Sequence, residues 1–400
     1  MFDAIVVGAR CAGSPTAMLL ARKGYRVLLL DRATFPSDTI STHLVWPHGA
    51  EILGRWGLLH ALAETGCPPV ARSMIFDLGP FALEGGVPRA NGGRGGFCPR
   101  RTVLDKLLVD AAAAAGVEVR EGFTVEALLW DNDRVTGVRG HSRRGLTVEE
   151  RARVVIGADG GHSMVAKVVA AEEYDALPPR TTFYYSYYSG FAAEDVEQYV
   201  RDHCGAACFP THDGLTLIAV VWPSAQFQEV RSDIEGHVNQ VHASIPSLAD
   251  RLRSARREDR WVGTAGVANF FRKPYGAGWA LVGDAGYEKD PLTAQGITDA
   301  FTDAELLANA LDDGFAGRRP MNDALAEYHT SRDHRVKAMY EFTCELAKLE
   351  PPPPPMQQLF AALHGNREAT GEFYAALTGA VPLPVFMNPE NIGRILQQAG

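Results

Sequence analysis

The chain has 400 residues, of which 46% are hydrophobic and 22% are charged, a composition typical of globular proteins of two or three domains. Its 39 Lys and Arg residues against 48 Asp and Glu residues give a formal charge of −9, which argues against a basic surface for nucleic acid or anionic membranes. Six cysteines without a C-x-x-C pair are too few for a disulfide scaffold, and we expect no metal site. No segment reaches the roughly 20 apolar residues that span a bilayer, and the N-terminus leads directly into an apolar strand, so we expect a cytoplasmic protein.

Short β-branched runs alternate with helical patterns at the start of the chain. We predict a buried strand over Ala4 to Val7, a helix over Ser14 to Lys23 and a second strand over Tyr25 to Leu30, which together form a βαβ unit. A further helix is predicted over Leu104 to Ala115 and a further buried strand over Val154 to Ile156. This alternation indicates an α/β fold with a largely parallel sheet.

The second half of the chain changes character. The alternating run from Thr181 to Gly190 predicts a strand in a second, more exposed sheet, and we expect Leu215 to Val221 to pair with it. Ala280 to Val282 is predicted as a buried strand. Helical patterns then cover Ile297 to Leu311 and roughly Met321 to Leu349.

The first βα turn carries a nucleotide-binding pattern. It contains Gly8 and Gly13, and Asp31 follows at the end of the second predicted strand. Gly8 permits a tight turn, Gly13 permits close helix–strand packing, and the helix N-terminus offers free amides to a pyrophosphate. Asp31 is placed to accept hydrogen bonds from adenosine ribose hydroxyls. Arg10 stands where a glycine usually lets the phosphate approach, and the pattern alone does not separate FAD from NAD.

Two later motifs, at residues 157–160 and 283–285, separate the two cofactors, and a third motif precedes them in the chain. Arg101 with Leu104 and Asp105 begins a predicted helix, and Gly157-Ala158-Asp159-Gly160 ends a predicted strand. Gly283-Asp284-Ala285 ends another strand and is followed by the segment Pro291 to Ile297. With the first turn, these resemble the fingerprint, R-x-x-L-D, D-G and G-D motifs of the p-hydroxybenzoate-hydroxylase-like flavoproteins. The resemblance implies bound FAD and covers the chain up to about residue 300.

The resemblance also implies roles for individual residues. Arg101 is expected near the FAD phosphates, and Asp284 on a ribityl hydroxyl. The helix that starts at Gln295-Gly296-Ile297 is expected to direct its positive end at the flavin pyrimidine edge. The predicted cofactor-binding residues are Gly8, Ala12, Gly13, Asp31, Arg32, Arg101, Val125, Asp159, Gly283, Asp284, Gln295, Gly296 and Ile297.

Some positions leave two interpretations open or depart from the family. Asp159 is expected in cofactor and nicotinamide handling, but an Asp before a Gly is also a common turn residue. Ala294 replaces a glycine that is common in the flavin-edge segment, and Thr298 stands where asparagine is frequent.

The resemblance further implies a fold. We expect a Rossmann-like, glutathione-reductase-like FAD-binding domain with an inserted mixed or antiparallel β-sheet domain for the substrate and a helical C-terminal segment. The segment from Gly85 to Gly96 has six glycines and is expected to be mobile. The predicted FAD domain comprises 1–75, 97–175 and 260–350, and the predicted substrate domain comprises 76–96 and 176–259. Residues 351–355 are expected to form a rigid polyproline linker, and 356–400 are expected to form helices that either cover the pocket or mediate dimerisation. We expect the protein to be a monomer or a homodimer.

The implied activity is that of an FAD-dependent monooxygenase. Electrons would come from NAD(P)H, docked transiently because a second nucleotide motif is missing, or from a partner reductase. O2 would add at flavin C4a, and the hydroperoxide would hydroxylate or epoxidise a medium-sized aromatic or polycyclic metabolite. The chemistry would come from the cofactor, while the protein positions the reactants and excludes water.

Three other activities are weighed against this one. A geranylgeranyl-reductase-like enzyme that saturates a C=C bond keeps an F-P pair at Phe209-Pro210, but Gly205 and Ala207 replace the aromatic residues expected before it. A flavin halogenase is disfavoured because no two of the six tryptophans are two apart. A non-catalytic flavin sensor is disfavoured because it has no need for a second sheet.

Aromatic residues mark the predicted substrate strand. Phe183, Tyr185 and Tyr187 share one face, while Tyr184 and Tyr188 lie on the other. We predict that Tyr185 or Tyr187 touches a flat, apolar or aromatic substrate, although sheet packing also explains each ring.

Two histidines are considered as well. The family places the segment around His43 along the flavin ring, so His43 is a candidate for a proton relay beside it. His212 is expected in a surface hairpin turn.

Overall fold

The computed structural model describes residues 1–70, 73–86, 95–142, 145, 147–193 and 195–398, so most of the glycine-rich loop expected to be mobile lies outside the described residues. The described strands, in chain order, are β1 (Phe2–Val7), β2 (Val27–Asp31), β3 (Pro69–Val70), β4 (Met74–Asp77), β5 (Ala82–Gly85), β6 (Gly96–Phe97), β7 (Glu118–Glu121), β8 (Phe123–Asp131), β9 (Arg134–Ser142), β10 (Thr147–Gly157), β11 (Glu173–Leu177), β12 (Thr181–Ser189), β13 (Val196–Arg201), β14 (Cys204–Pro210), β15 (Thr216–Pro223), β16 (Arg256–Arg257), β17 (Val262–Thr264), β18 (Asn269–Arg272), β19 (Tyr275–Gly276), β20 (Trp279–Leu281) and β21 (Tyr287–Glu288). The described helices are α1 (Gly13–Arg22), α2 (Pro47–Trp56), α3 (Leu59–Glu64), α4 (Arg101–Ala114), α5 (Met164–Val168), α6 (Phe227–Ser232), α7 (Ile234–Ala243), α8 (Pro246–Leu252), α9 (Gly296–Phe315), α10 (Met321–Leu346), α11 (Pro354–Leu363), α12 (Arg367–Leu377), α13 (Leu383–Phe386) and α14 (Pro389–Gln398).

The first sheet is largely parallel, as the βαβ unit at the start of the chain predicted. Its order is β19-β20-β10-β1-β2-β7, and the strands from β20 to β7 run parallel. Strand β1 is apolar on both faces because helices α1, α4 and α9 cover Ala4 and Val6, while the β8–β9 hairpin covers Ile5 and Val7. The carboxyl ends of β1, β2, β10 and β20 therefore meet at one edge of the sheet, where nucleotides bind in folds of this type.

The second sheet is mixed, as expected. Its order is β16-β12-β15-β14-β13-β4-β5, with β17 beside β12, and β13 and β4 form a parallel pair among antiparallel ones. Strand β12 pairs with β15 from Thr181 to Tyr188, which confirms the predicted pairing. Helices α6, α7 and α8 pack on the face that carries Tyr184 and Tyr188.

The C-terminal helices pack against the opposite face of the second sheet, where Phe360, Phe373 and Tyr374 lie in one cluster with Tyr185. Helix α11 begins at Pro354, so the prediction that all of 351–355 is an extended linker is wrong for its last two residues. Proline fits the first turn of a helix because the amide that it lacks would have no partner there. The exact division into domains stays a prediction. In the part of the chain that the structure describes, no helix is long and apolar enough to cross a membrane.

Candidate functional site

Three turns converge at the carboxyl edge of the first sheet. Gly8 has a φ of +104°, and a Cβ there would lie 2.3 Å from the carbonyl oxygen of Ala158. A Cβ at Gly283 would lie 2.7 Å from the Cβ of Ala12. The first turn, the D-G turn and the G-D turn are thus packed against one another with no room for a further carbon atom.

Asp31 ties the end of β2 to the first turn. Its two carboxylate oxygens accept hydrogen bonds from the backbone amides of Ala9 and Ala33, each at 2.7 Å. Each oxygen keeps a second lone pair, so Asp31 remains able to accept a ribose hydroxyl at the strand end.

Arg10 turns its side chain away from the first turn. Its guanidinium donates to the buried carboxylate of Asp105 and to the Oγ and carbonyl oxygen of Ser37. Arg101 binds the same carboxylate through Nε at 3.1 Å and Nη2 at 2.9 Å. The residue that replaces the usual glycine is therefore part of a buried ion cluster with the R-x-x-L-D helix.

The side chain of Asp159 caps helix α5. Its carboxylate accepts hydrogen bonds from the Ser163 hydroxyl at 2.5 Å and from the Met164 and Val165 amides at 2.7 and 3.2 Å. Of the two interpretations of Asp159, this geometry supports the turn role for its carboxylate.

Asp284 faces the space between the turns. In the described structure no donor hydrogen-bonds its carboxylate, which is exposed to that space. Surrounding protein nevertheless desolvates the group and raises its pKa to about 6, against the opposing positive charges of Arg101 and Lys289. Because this carboxylate lacks a hydrogen-bond donor in the described structure, it suits a hydroxyl donor on a ligand.

The start of helix α9 lies beside this space. Gly296 is exposed, and no atom lies within 4 Å of the position that its Cβ would take. Ala294 adopts the left-handed conformation, with φ +52°, which explains why a glycine is common there. Gln295 donates from Nε2 to the carbonyl oxygen of Leu377 at 2.7 Å, and the hydroxyl of Thr298 accepts the Trp46 amide at 3.2 Å.

The structure does not bring every predicted cofactor residue to this space. The side chain of Ile297 is buried in the core cluster of the first sheet, which leaves its backbone amide for the helix terminus. Val125 lies half-buried in β8 against the opposite core cluster. Arg32 is exposed next to Asp31.

These features fit FAD. The backbone amides of Cys11, Ala12 and Gly13, which lead into α1, have no hydrogen-bond partner in the described structure and suit a pyrophosphate. Asp31 suits a ribose, Asp284 suits a ribityl hydroxyl, and the open N-terminus of α9 suits the electron-rich edge of a flavin.

A cavity of about 230 Å³ lies between the flavin-edge segment and the second sheet. Its lining includes Ser41 and Thr42 from the segment after β2, the 291–294 segment before α9, and apolar side chains from the C-terminal helices. Phe183 and Tyr185 line it from β12. The C-terminal segment therefore forms part of the pocket wall, while its predicted role in dimerisation stays a prediction.

The floor of the cavity is a row of side chains across five neighbouring strands. Strand register places Tyr185 opposite Ala219, Ala219 opposite Ala207, Ala207 opposite Gln198, and Gln198 opposite Phe76. Directly opposite residues share a face, so two alanines lie side by side between larger residues. We call Ala207 and Ala219 the alanine floor, because their small side chains leave the space above them open.

His43 is fully buried beside the aromatic strand. Its Nδ1 lies 2.7 Å from the Ser41 carbonyl oxygen and its Nε2 lies 2.9 Å from the Tyr187 hydroxyl. Burial lowers the pKa of His43 to about 3, and the charge of Arg101 adds to the shift. The ring is therefore neutral, with the Nδ1 proton on the carbonyl and the Tyr187 hydroxyl donating to Nε2.

His212 lies in the predicted hairpin turn, between β14 and β15. The expectation that it is a surface residue is wrong, because it is only 3% exposed. The Arg100 amide donates to its Nδ1 at 3.2 Å, and its Nε2 lies 2.9 Å from the Thr65 hydroxyl. The turn folds back onto the segment before α4, which buries the ring.

The family described as an FAD binding domain matches residues 1–343 of the chain. The chain belongs to this FAD binding domain family. It is a flavin-dependent oxidoreductase, which confirms the resemblance that its motifs indicated.

Curated relatives of this flavoenzyme carry different activities. The 6-methylpretetramide 4-monooxygenase of Streptomyces rimosus is 26% identical over 84% of this chain and 83% of its own length. A digeranylgeranylglycerophospholipid reductase of Methanosarcina mazei is 27% identical over 77% of this chain and 74% of its own length. Conditioned medium factor receptor 1 of Dictyostelium discoideum is 24% identical over 98% of this chain and 79% of its own length.

Solved structures share the fold of the flavoenzyme. The myxobacterial chondrochloren halogenase superposes with a TM-score of 0.79 at 22% identity, over 100% of this chain and 96% of its own. PqsL of Pseudomonas aeruginosa, a probable FAD-dependent monooxygenase, gives 0.71 at 23% identity, over 86% of this chain and 95% of its own. At these identities the likeness establishes the fold alone.

Sequence reasoning found the flavoenzyme's turns but missed its cavity floor. Gln198, Ala207 and Ala219 belong to three strands, and nothing in their local sequence marks them as the lining of one cavity. Only the strand register, which puts them next to Tyr185, identifies them as a group.

Proposed function

We propose that this flavoenzyme is an NAD(P)H-dependent monooxygenase that hydroxylates or epoxidises a flat aromatic or polycyclic metabolite. The observation that carries the proposal is the apolar cavity, which has the flavin-edge segment at one side, aromatic rings of β12 at another and the alanine floor beneath. A flat ring system is the ligand shape that two adjacent alanines between bulkier residues favour.

The overall reaction balances without a metal. One NAD(P)H, one proton, one O2 and one substrate give NAD(P)⁺, water and a product that carries one new oxygen atom. FAD, when bound, supplies the redox chemistry. The protein's own residues bind both reactants and keep water out of the cavity.

We propose that the cofactor is held mainly by backbone groups and two carboxylates. The amides of Cys11, Ala12 and Gly13 would bind the pyrophosphate, Asp31 the adenosine ribose and Asp284 a ribityl hydroxyl. Arg101 would add positive charge near the phosphates. The N-terminus of α9, open at Gly296, would stabilise negative charge on the flavin edge by about 0.5–2 kcal/mol.

We propose that Tyr185 contacts the substrate, while Tyr187 and His43 hold that wall in place. Tyr185 lines the cavity and packs edge-on against His43, with ring centroids 5.4 Å apart. Tyr187 donates to His43 and lies under the Arg100 guanidinium at 4.4 Å. Because His43 stays neutral, its proposed part in proton relay is limited to exchange with the Tyr187 hydroxyl.

The proposed monooxygenase activity is tested by measuring how the rate of NAD(P)H oxidation depends on oxygen and on the added substrate. The FAD-loaded protein is mixed with NADH or NADPH and with aromatic or polyprenyl compounds, in air and without oxygen. A monooxygenase is expected to consume NAD(P)H faster with an aromatic compound in air, and to form oxygenated product only there. Stimulation by a polyprenyl compound that persists without oxygen would instead support the C=C reductase.

That second candidate has a specific observation in its favour. The Methanosarcina mazei relative is named as a reductase of a geranylgeranyl lipid, and the lining of the cavity here is largely apolar. The aromatic wall on β12 and the flat alanine floor favour a flat ligand over a long chain.

A further inference from the structure

Gln198 brings a polar amide into the apolar wall of the cavity. It lies in the middle of β13, where Val196 belongs to the core cluster on the cavity side and Tyr199 to the cluster on the other side. Its direct neighbours across the strands are Ala207 and Phe76. The amide therefore stands at the end of the alanine floor opposite Tyr185.

The Gln198 amide has no hydrogen-bond partner among the described residues, and it lines the cavity. An amide removed from water without a partner costs free energy, and polar groups inside proteins are usually paired for that reason. A ligand that fills the cavity would displace water from this amide. A suitable group on the ligand would then replace the lost hydrogen bonds.

The charges around the cavity indicate what that group is. Lys348 lies at the rim but is paired with Glu345 at 2.6 Å, and Glu350 adds a negative charge nearby. The carboxyl group of Asp290 lies in the wall and accepts a hydrogen bond from the Thr181 hydroxyl at 2.7 Å. A carboxylate or phosphate in the cavity would thus meet negative charge and no free cation among the described lining residues.

We propose that Gln198 is the specificity-determining residue of the cavity, which binds an uncharged hydroxyl or carbonyl oxygen of the aromatic substrate across the alanine floor. An amide donates and accepts, so it satisfies either group without a net charge. Three strand spacings of about 4.8 Å separate β12 from β13. A ligand of two or three fused rings spans that distance, with its ring edge at Tyr185 and its oxygen at Gln198. This inference rests on the proposed function, since it takes the cavity as the substrate site.

Direct binding to the FAD-loaded full chain tests the proposal. The probes are 2-naphthol, naphthalene and 2-naphthoate, which share one ring system and differ in one group, and binding is measured by equilibrium dialysis. We expect Gln198→Leu to weaken 2-naphthol binding about tenfold and to leave naphthalene binding unchanged or tighter. We expect 2-naphthoate to bind the wild type more weakly than 2-naphthol.

Controls separate specificity from folding. Gln228→Leu makes the same substitution on an exposed face of α6 and should change no probe's affinity. Flavin content and Tm are compared first, and Gln198→Met serves as a second isosteric variant if Gln198→Leu folds poorly. Equal losses for 2-naphthol and naphthalene, or no loss for either, would overturn the role of Gln198.

A cavity-filling variant distinguishes failure of the role proposed for Gln198 from failure of the proposed function. Ala219→Leu should weaken binding of the two neutral probes at least tenfold. Probe binding that is sensitive to Ala219→Leu but indifferent to Gln198→Leu refutes only the inference. Binding that persists in Ala219→Leu refutes the assignment of the cavity as the substrate site, and the inference with it.

Discussion

The cofactor side and the substrate side of the molecule differ in how closely their small residues are packed. At the edge of the first sheet, Gly8, Gly13 and Gly283 lie so close to neighbouring turns that one added carbon has no room. On the second sheet, Ala207 and Ala219 leave a cavity above them. Small residues allow the turns to pack closely in the first region, whereas in the second region they leave a cavity open. The same substitution, a larger side chain for a smaller one, should therefore break the fold in one region and only block a ligand in the other.

The largest effect is expected for Gly8→Ala. The left-handed φ of +104° and a Cβ 2.3 Å from the Ala158 carbonyl oxygen together should cost about 3 kcal/mol or more of unfolding free energy, with loss of FAD. Chemical denaturation and flavin absorbance measure both.

Gly24→Ala is the matched control. Gly24 also has a positive φ, of +91°, but no atom lies within 4 Å of its Cβ position. It should cost about 1 kcal/mol and leave FAD bound. Equal costs at the two positions would show that backbone strain, and not the close approach of the turns, sets the requirement for glycine.

A filled cavity should leave the fold intact. Ala219→Leu is expected to keep its FAD and to change the Tm by a few degrees at most, because the added atoms enter open space. Binding of 2-naphthol should fall at least tenfold, or about 1.4 kcal/mol. Calorimetry and dialysis check these two results. A variant that unfolds or loses its flavin would show that the alanine floor is closely packed like the turns.

Replacing Arg10 tests the ion cluster beneath the turns. Arg10→Gly restores the more usual fingerprint glycine but leaves the Asp105 carboxylate with Arg101 and the Cys11 thiol as its described side-chain partners. We expect a loss of about 1–2 kcal/mol in unfolding free energy and no gain in FAD affinity. Fluorescence titration of the deflavinated protein with FAD measures the affinity. Tighter FAD binding in the variant would mean that Arg10 obstructs the phosphate.

The smallest effect is a change in pH dependence at Asp284. The fold raises the pKa of this carboxyl from its ordinary 3.8 to about 6, so the folded state holds the proton more tightly than the unfolded state does. Stability of the deflavinated protein is therefore lost as the pH rises through this window. Asp284→Asn should show a smaller fall in Tm between about pH 5 and pH 7 while binding FAD more weakly. An unchanged pH profile would contradict the desolvation of this carboxyl.

The two regions also differ in how far the sequence predicts them. The turns that carry Gly8, Asp159 and Asp284 follow predicted strands directly, so parallel pairing alone brings them together. The match to the FAD binding domain family over residues 1–343 agrees with that prediction. Tyr185 and Tyr187 were predicted as substrate contacts because neighbouring aromatic residues on a strand form a local pattern, and of the two Tyr185 lines the cavity.

The alanine floor and Gln198 lack such a pattern. They depend on the register of four strand pairs, which side chains distant in sequence decide. The buried position of His212 depends in the same way on distant contacts, with Thr65 and Arg100. The local sequence predicted this turn but not the contacts that bury its imidazole ring.

Mass spectrometry of products formed under ¹⁸O2 is the most direct test of the central claim. The FAD-loaded protein is supplied with NAD(P)H and with aromatic compounds chosen by one criterion. Each compound must stimulate NAD(P)H oxidation by the wild type but not by the Ala219→Leu variant. The account predicts a product that carries one ¹⁸O atom from O2 and is absent from the Ala219→Leu reaction. A product that gains two hydrogen atoms and no ¹⁸O would contradict it and identify a reductase.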